Sequence, residues 1–149
     1  MTTLYVDGDA CPVKEEISRV AARYTLPVFI VSNQGLRHHL GAHVQGILVG
    51  TEFDAADNWI VAHLVADDIV VTSDIQFAAH CLEKSARALS PTGKIFSADN
   101  IGSALAMREL GAYLREAGEI KGHNPSFTKQ DRAQFLQALD QVIQTLKPA

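Results

Sequence analysis

The sequence is poor in cysteine and has no long apolar run. Its two cysteines, Cys11 and Cys81, lack the C-x-x-C spacing of common zinc and redox sites. A disulfide framework is not expected, and a reducing cytoplasm is the natural compartment. No apolar run approaches membrane-spanning length, and residues 1–3 lead straight into a strand-like run without the basic and apolar regions of a signal peptide. We therefore expect a soluble cytoplasmic protein with no membrane partner.

Positive charge is also scarce. The chain has 13 lysines and arginines against 17 aspartates and glutamates, which gives a formal net charge of -4. This balance argues against a protein that holds nucleic acid mainly by neutralising phosphates with basic side chains. A divalent cation reverses the local charge of an acidic pocket, so RNA or another phosphodiester approached through bound metal stays open.

Apolar residues make up 47% of the chain, enough for one sizeable core, so we expect a single domain over residues 1–149. Periodicity predicts strands at residues 4–6, 27–31, 44–49, 69–72 and 94–97. Helical patterns fall within residues 12–24, 54–64, 75–84, 101–114 and 128–146, with a linker at 118–125. This alternation predicts an α/β fold with a mostly parallel, about five-stranded sheet covered on both faces.

Aspartates stand at the predicted carboxyl ends of the strands, where parallel sheets bind their ligands. They are Asp7 and Asp9 after the first strand, Asp74 after the fourth, Asp99 after the fifth, and Asp54 and Asp57 at the start of the helix before the fourth. Carboxylates that converge in one crevice repel each other unless a cation neutralises them, and hard oxygen ligands favour Mg²⁺ or Mn²⁺. The chemistry indicated is phosphoryl-ester hydrolysis.

Helix capping offers a simpler interpretation of several of these acids. Asp54 and Asp57 occupy N-cap and third helical positions, and Asp74 and Asp99 also stand where a helix begins. Asp7 has no such explanation, because it directly follows a core strand and precedes a glycine.

Other chemically interesting residues have ordinary explanations. The spacing of His38, His39 and His43 fits no standard metal pattern, and a solvated loop accounts for them. Cys11 lies near a helix N-terminus, where thiolate character rises, but no sequence-adjacent histidine supports a nucleophile. Trp59 at helical spacing fits the core better than a base-stacking platform.

Six motifs in fixed order together resemble the bacterial YaiI/YqxD family, also called UPF0178, and they span essentially the whole chain. They are YVDGDACPVK at residues 5–14, FDAAD at 53–57, VTSD at 71–74, DNIG at 99–102, AMREL at 106–110 and FTKQDR at 127–132.

The resemblance implies a relation to PIN-like domains, which are metal-dependent nucleases with a three-layer α/β/α sandwich. In such nucleases an aspartate after the first strand, an acid in a middle helix and an aspartate after the fourth strand hold Mg²⁺ or Mn²⁺. Those roles fall on Asp7, Asp57 and Asp74, and Asp9 and Asp99 are candidates for further metal ligands.

Four basic residues are candidates for substrate contacts. Lys14 and Arg108 are expected to contact phosphate, although a solvated helix face also accounts for Lys14. Lys129 and Arg132 in the last motif are expected to shape a substrate site peculiar to the family.

Two other functions compete with the nuclease. Asp7 and Asp9 form a D-x-D after the first strand, as in haloacid dehalogenase-like phosphatases, although the chain lacks that fold's late lysine and paired aspartates. A non-catalytic RNA- or protein-binding module, whose acids only cap helices, is the third reading.

Overall fold

The computed structural model describes residues 2–9, 11–35, 39–52, 54–103, 105–107 and 127–146. The strands are β1 Leu4–Asp7, β2 Val28–Ser32, β3 Val44–Leu48, β4 Ile69–Val71, β5 Arg87–Leu89 and β6 Ile95–Phe96. The helices are α1 Lys14–Tyr24, α2 Ala55–His63, α3 Ile75–Glu83 and α4 Lys129–Leu146. Residues 101–103 and 105–107 are also helical.

The strands form a six-stranded sheet in the order β3-β2-β1-β4-β5-β6. All neighbouring strands are parallel except β5 and β6, which are antiparallel. The chain winds outward from β1 to β3 and then returns to place β4 on the other side of β1. The reversal leaves a crevice outside the carboxyl ends of β1 and β4. The predicted α/β class with a mostly parallel sheet is confirmed, and β1 and β4 are neighbours at the reversal.

Each face of the sheet carries its own apolar core. Leu4 and Val6 of β1 belong to the cluster that packs under α1 and α4, whereas Tyr5 belongs to the cluster under α2 and α3. This division follows from the two-residue period of a strand. The result is three layers, helix over sheet over helix.

The sheet has one strand more than the sequence predicted. Arg87–Leu89 forms β5, a three-residue strand too short to show a period. Residues 94–97 were predicted as the fifth strand, but β6 pairs back onto β5 in the antiparallel direction through the 90–93 turn. The second half of the predicted 101–114 helix and the 118–125 linker lie outside the described residues.

Helix α4 begins with a capping box. The Thr128 hydroxyl accepts a hydrogen bond from the Asp131 amide, and an Asp131 carboxylate oxygen accepts one from the Thr128 amide, both at 3.0 Å. This reciprocal pair is the capping box that the sequence predicts.

In the part of the chain that the structure describes, no helix combines the length and the apolar character needed to cross a membrane.

Candidate functional site

A polar cavity of about 280 Å³ opens at the carboxyl edge of the sheet, at the winding reversal. Its walls come from the loops after β1, β2 and β3, from the start of α2 and from the residue that begins α3. The lining is strongly acidic and contains Asp7, Asp9, Glu52, Asp54, Asp57 and Asp74, together with Asn33, Val49, Gly50, Thr51, Ala55 and Ala56. Among the described residues that line it, none is basic.

Strand and helix geometry bring the three principal aspartates into this cavity. Asp7 ends β1 two residues after Tyr5, so its side chain points to the face that carries α2 and α3. Asp57 lies in the first turn of α2, and Asp74 is the N-cap of α3. The predicted convergence of Asp7, Asp57 and Asp74 in one cavity is therefore observed.

Hydrogen bonds fix the orientation of Asp7 and Asp74. The Thr72 hydroxyl donates to Asp7 Oδ2 at 3.1 Å and accepts from the Asp74 amide at 3.0 Å. Asp74 Oδ1 accepts from the amide of Phe77 at 3.2 Å, so its predicted capping role is confirmed. One oxygen of Asp74 is thereby occupied by its own helix.

Asp9 lies further out. It is exposed, and its Oδ1 accepts a long hydrogen bond of 3.3 Å from the amide of Asn33 in the loop after β2. This contact places Asp9 at the rim of the cavity.

Two of the acids, Asp57 and Asp7, have raised pKa values. Burial, followed by the negative charges of Asp7, Asp74 and Asp54, raises the pKa of Asp57 to about 7. Burial also raises the pKa of Asp7, against the opposing hydrogen bond from Thr72, with smaller contributions from Asp9 and Asp74. Perturbation of this kind in a cleft is typical of functional sites.

Asp54 does not act as a conventional helix cap. It precedes α2 with a φ of 64°, in the left-handed region that costs a non-glycine residue energy, and its side chain makes no capping hydrogen bond. It is instead hydrogen-bonded to the side chain of Asp57, an interaction that favours the protonated form of Asp57. Asp54 therefore occupies the predicted N-cap position, but its side chain does not cap the helix.

The donor set has the chemistry of a hard-cation site, since carboxylate oxygens are the ligands that Mg²⁺ and Mn²⁺ prefer. The spacing is looser than a formed site requires. In the described ranges, no three His, Cys, Asp or Glu side chains are close enough together to hold a metal ion as they stand. Mutual repulsion among carboxylates gives a physical reason for such spreading, because a shared cation would offset it.

Asp99 does not line the cavity. Its predicted placement assumed that it followed a parallel strand, whereas it follows β6, which runs in the opposite direction. The chain leaving β6 emerges at the amino edge of the parallel strands, away from the other acids. Its proposed capping role is taken by its neighbours: Asn100 Oδ1 accepts from the Ser97 amide at 2.9 Å, and Ser97 Oγ accepts from the Asn100 amide at 3.3 Å.

The predicted substrate contacts have varied surroundings. Arg132 forms an ion pair with the buried carboxylate of Glu16 at 2.6 Å, and its guanidinium lies 5.1 Å from the centre of the Phe127 ring. These contacts join the start of α4 to α1, which is a structural role. Lys14 begins α1 half-buried, Lys129 begins α4 exposed, and Arg108 lies outside the described residues.

Neither cysteine has the character of a nucleophile. Burial raises the pKa of the Cys11 thiol to about 11, despite a hydrogen bond from the Val13 backbone and the nearby charge of Lys14. Burial and the charge of Asp57 raise that of Cys81 to about 12. Thiolates would be scarce at neutral pH.

His43 and Trp59 also serve the fold. His43 Nε2 donates to the backbone oxygen of Ser18 at 2.9 Å, and His39 is exposed, while His38 lies outside the described residues. Trp59 packs in an aromatic cluster with Tyr5 and Phe29, as the core interpretation predicts.

Sequence reasoning missed Thr72. Its hydroxyl is buried, with 1% of the residue exposed, yet it joins two acids of the cavity. The available signal was a hydroxyl residue at the end of an apolar strand, two positions before a predicted cap. That pattern alone does not show that Asp7 lies within reach.

Comparison with known proteins gives a consistent result. The model of a family described as "Uncharacterized BCR, YaiI/YqxD family" matches residues 5–145. A UPF0178 protein of Agrobacterium fabrum is 48% identical over 97% of this chain and 94% of its own length. A UPF0178 protein of Parvibaculum lavamentivorans is 48% identical over 99% of this chain and 97% of its own. No solved structure matches significantly.

Proposed function

We propose that this chain, which belongs to the YaiI/YqxD family, is a Mg²⁺- or Mn²⁺-dependent nuclease that hydrolyses phosphodiester bonds, with RNA as the expected substrate. The relation to PIN-like nucleases is part of the same proposal. The observation that carries it is the convergence of Asp7, Asp57 and Asp74 in one cavity at the winding reversal of the sheet.

The electrostatics of the cavity support a bound cation. Folding brings together several carboxylates without a described basic residue in the lining. Burial, together with the negative charge of neighbouring acids, raises the pKa values of Asp7 and Asp57. A divalent cation bound among these acids would compensate their charge.

In the proposed site, Asp7 and Asp74 hold the ion through the oxygens that point into the cavity. The Thr72 hydroxyl orients Asp7 through its hydrogen bond to Oδ2, and the Asp74 oxygen that accepts from the Phe77 amide continues to cap α3. The bound ion would polarise a phosphate oxygen and neutralise charge that develops during hydrolysis.

Asp57 has either of two roles in this arrangement. As a carboxylate it completes the ligand set, and near neutral pH it also has a pKa suited to accepting a proton from an attacking water. Asp9, exposed at the rim, is positioned to contact the ion through water or to orient the substrate.

The test is cleavage of single-stranded and structured RNA by purified protein, with and without Mg²⁺ or Mn²⁺. We expect metal-dependent cleavage that Asp7→Asn reduces by more than the roughly 10–100-fold typical of a lost outer-shell partner. Mn²⁺ affinity, measured by calorimetry, should fall in parallel.

Asp99→Asn is the matched control, because it removes an equivalent charge outside the cavity. It should leave cleavage and Mn²⁺ affinity unchanged, and preparing both variants identically controls for a contaminating ribonuclease. Metal-independent cleavage, or equal activity of wild type and Asp7→Asn, would refute the proposal.

A non-catalytic binding module is the second candidate, and it is favoured by the capping bond from Phe77 to Asp74. Under this alternative the acids serve the fold. It predicts no cleavage of any RNA, and no change in thermal stability when Mn²⁺ is added.

A further inference from the structure

Strand β3 is an edge of the sheet, and its own residues lack the usual protection against pairing with another chain. It pairs with β2 on one side, and no other strand among the described residues pairs with its outer side. Its sequence, VQGIL, has no charged residue and no proline, the two devices that most often block exposed edges. Leu48 at its end is 69% exposed.

The direction of the backbone groups along β3 follows from its bonds to β2. Val28 donates to the His43 carbonyl, and Val49 donates to the Ser32 carbonyl, so the odd-numbered residues of this strand face β2. The main-chain N–H and C=O groups of Gly46 and Leu48 consequently point outward. They form a short row of main-chain donors and acceptors.

The side chains on this strand divide in the same way. Val44 packs against the core under α1, whereas Ile47 and Val49 pack on the opposite face. Gly46 and Leu48 share the face of Val44 because side chains alternate along a strand. Leu48 thus projects beside the outer edge, on the α1 side, where it has little to cover it.

We propose that β3 pairs with β3 of a second copy of this chain, antiparallel and about a two-fold axis at Gly46. Gly46 then exchanges both main-chain hydrogen bonds with Gly46 of the partner subunit. Leu48 lies opposite Val44 of the partner subunit on the same face of a continuous sheet. A strand centred on glycine, with an apolar residue two positions to each side, is complementary to itself.

Charge favours the antiparallel direction of this pairing. Each chain carries a formal net charge of -4, with acids concentrated at the carboxyl edge of the sheet. Antiparallel pairing puts the two carboxyl edges at opposite ends of the joined sheet, so the acidic cavities are kept apart. The contact strands themselves are neutral, and no charge is buried between the copies.

Sedimentation equilibrium of the full chain over a range of concentrations tests the pairing. We expect reversible dimerisation, with Leu48→Lys raising the dissociation constant about tenfold or more, because the two-fold axis introduces each change twice. Val65→Lys is the matched control: Val65 is 62% exposed but lies outside β3, so its loss should leave dimerisation unchanged.

Gly46→Pro provides a second variant, since it removes an outward N–H and leaves the bonds to β2 intact. Amide hydrogen exchange gives the residue-level readout. The Gly46 and Leu48 amides should become protected as concentration rises, while the inward Gln45 and Ile47 amides should be protected at every concentration. A wild-type monomer at high concentration, or a dimer that both variants leave intact, would overturn the proposal.

Discussion

The hydroxyl of Thr72 donates a hydrogen bond to Asp7 Oδ2 at 3.1 Å, across the boundary between β1 and β4. The Thr72 hydroxyl oxygen also accepts a hydrogen bond from the amide of Asp74 at 3.0 Å. One buried hydroxyl therefore sets the separation of two acids that come from different strands. The charged form of Asp7 benefits, because this bond lowers its pKa against the effect of burial.

Replacing Thr72 with valine keeps the shape of the side chain and removes the hydroxyl. We expect the Asp7 pKa to rise further, the Mn²⁺ affinity to fall about 10–100-fold and the protein to lose roughly 1–3 kcal/mol of stability. Carboxyl NMR titration, calorimetry and chemical denaturation measure the three effects.

Thr72→Ser is the control, since it retains the hydroxyl. It should preserve the Asp7 pKa and most of the metal affinity. If Thr72→Val lost stability while its Asp7 pKa and its Mn²⁺ affinity stayed at wild-type values, Thr72 would be a purely structural residue.

Asp57 makes stability depend on pH. Its folded-state pKa of about 7 lies above the unfolded value near 4, so the folded protein holds a proton that the unfolded chain releases between these values. The stabilising contribution is complete below about pH 4 and is lost as the pH rises through about 7. Since Asp57 is partly exposed, solvent screening limits the effect to roughly 1–2 kcal/mol.

Urea denaturation at several pH values checks this dependence. Asp57→Asn should remove the contribution of Asp57 to the fall in stability between about pH 4 and 7. The variant should also be more stable than wild type at pH 8. Saturating Mn²⁺ should restore stability to the wild-type protein at pH 8, because a ligand that binds only the folded state stabilises it. An unchanged pH profile in Asp57→Asn would contradict the assignment.

The sequence predicted the longer elements and the main acids because their signals are local. All five predicted strands and the start of α4 coincide with observed elements, since apolar runs and the capping box of Thr128 and Asp131 lie within a few residues. Asp7 could be placed in the cavity because an aspartate at the end of a buried strand faces one sheet edge whatever the remaining topology.

The failures arise where the outcome depends on distant partners. Arg87–Leu89 has too few residues to show periodicity, and it becomes a strand because β4 offers an edge with which to pair. Asp99 was misplaced for a related reason. Strand β6 pairs antiparallel with the unpredicted β5, so the residues after β6 lie at the opposite edge of the sheet from the other acids. The ion pair between Arg132 and Glu16 was missed because the two residues lie 116 positions apart in the sequence.

The contact between Arg132 and Glu16 leads to a prediction about stability. Glu16 is only 3% exposed, so Arg132→Gln would leave a buried carboxylate with only the longer 4.0 Å contact to Arg19. We expect a loss of about 3 kcal/mol in chemical denaturation, near the low end for a broken buried pair because the arginine is partly exposed. RNA cleavage per folded molecule should change little.

The double variant Glu16→Gln with Arg132→Gln distinguishes this role from substrate binding. Removing both charges should recover much of the lost stability, since no unpaired charge stays buried. A substrate contact would behave differently: KM for RNA would rise in Arg132→Gln, and the second substitution would not restore it.

Gly93 allows the 90–93 turn to pack directly on α4. It has a φ of +93°, and a Cβ atom there would lie 2.7 Å from the main-chain carbon and oxygen of Gln134. Gly93→Ala should therefore cost roughly 2–4 kcal/mol, from backbone strain and from displacement of the turn.

Gly102 is the control, because it is helical and a Cβ would meet nothing within 4 Å. Gly102→Ala should be neutral or stabilising by up to about 1 kcal/mol. Chemical denaturation of both variants measures the difference, and equal effects would show that the turn yields without cost.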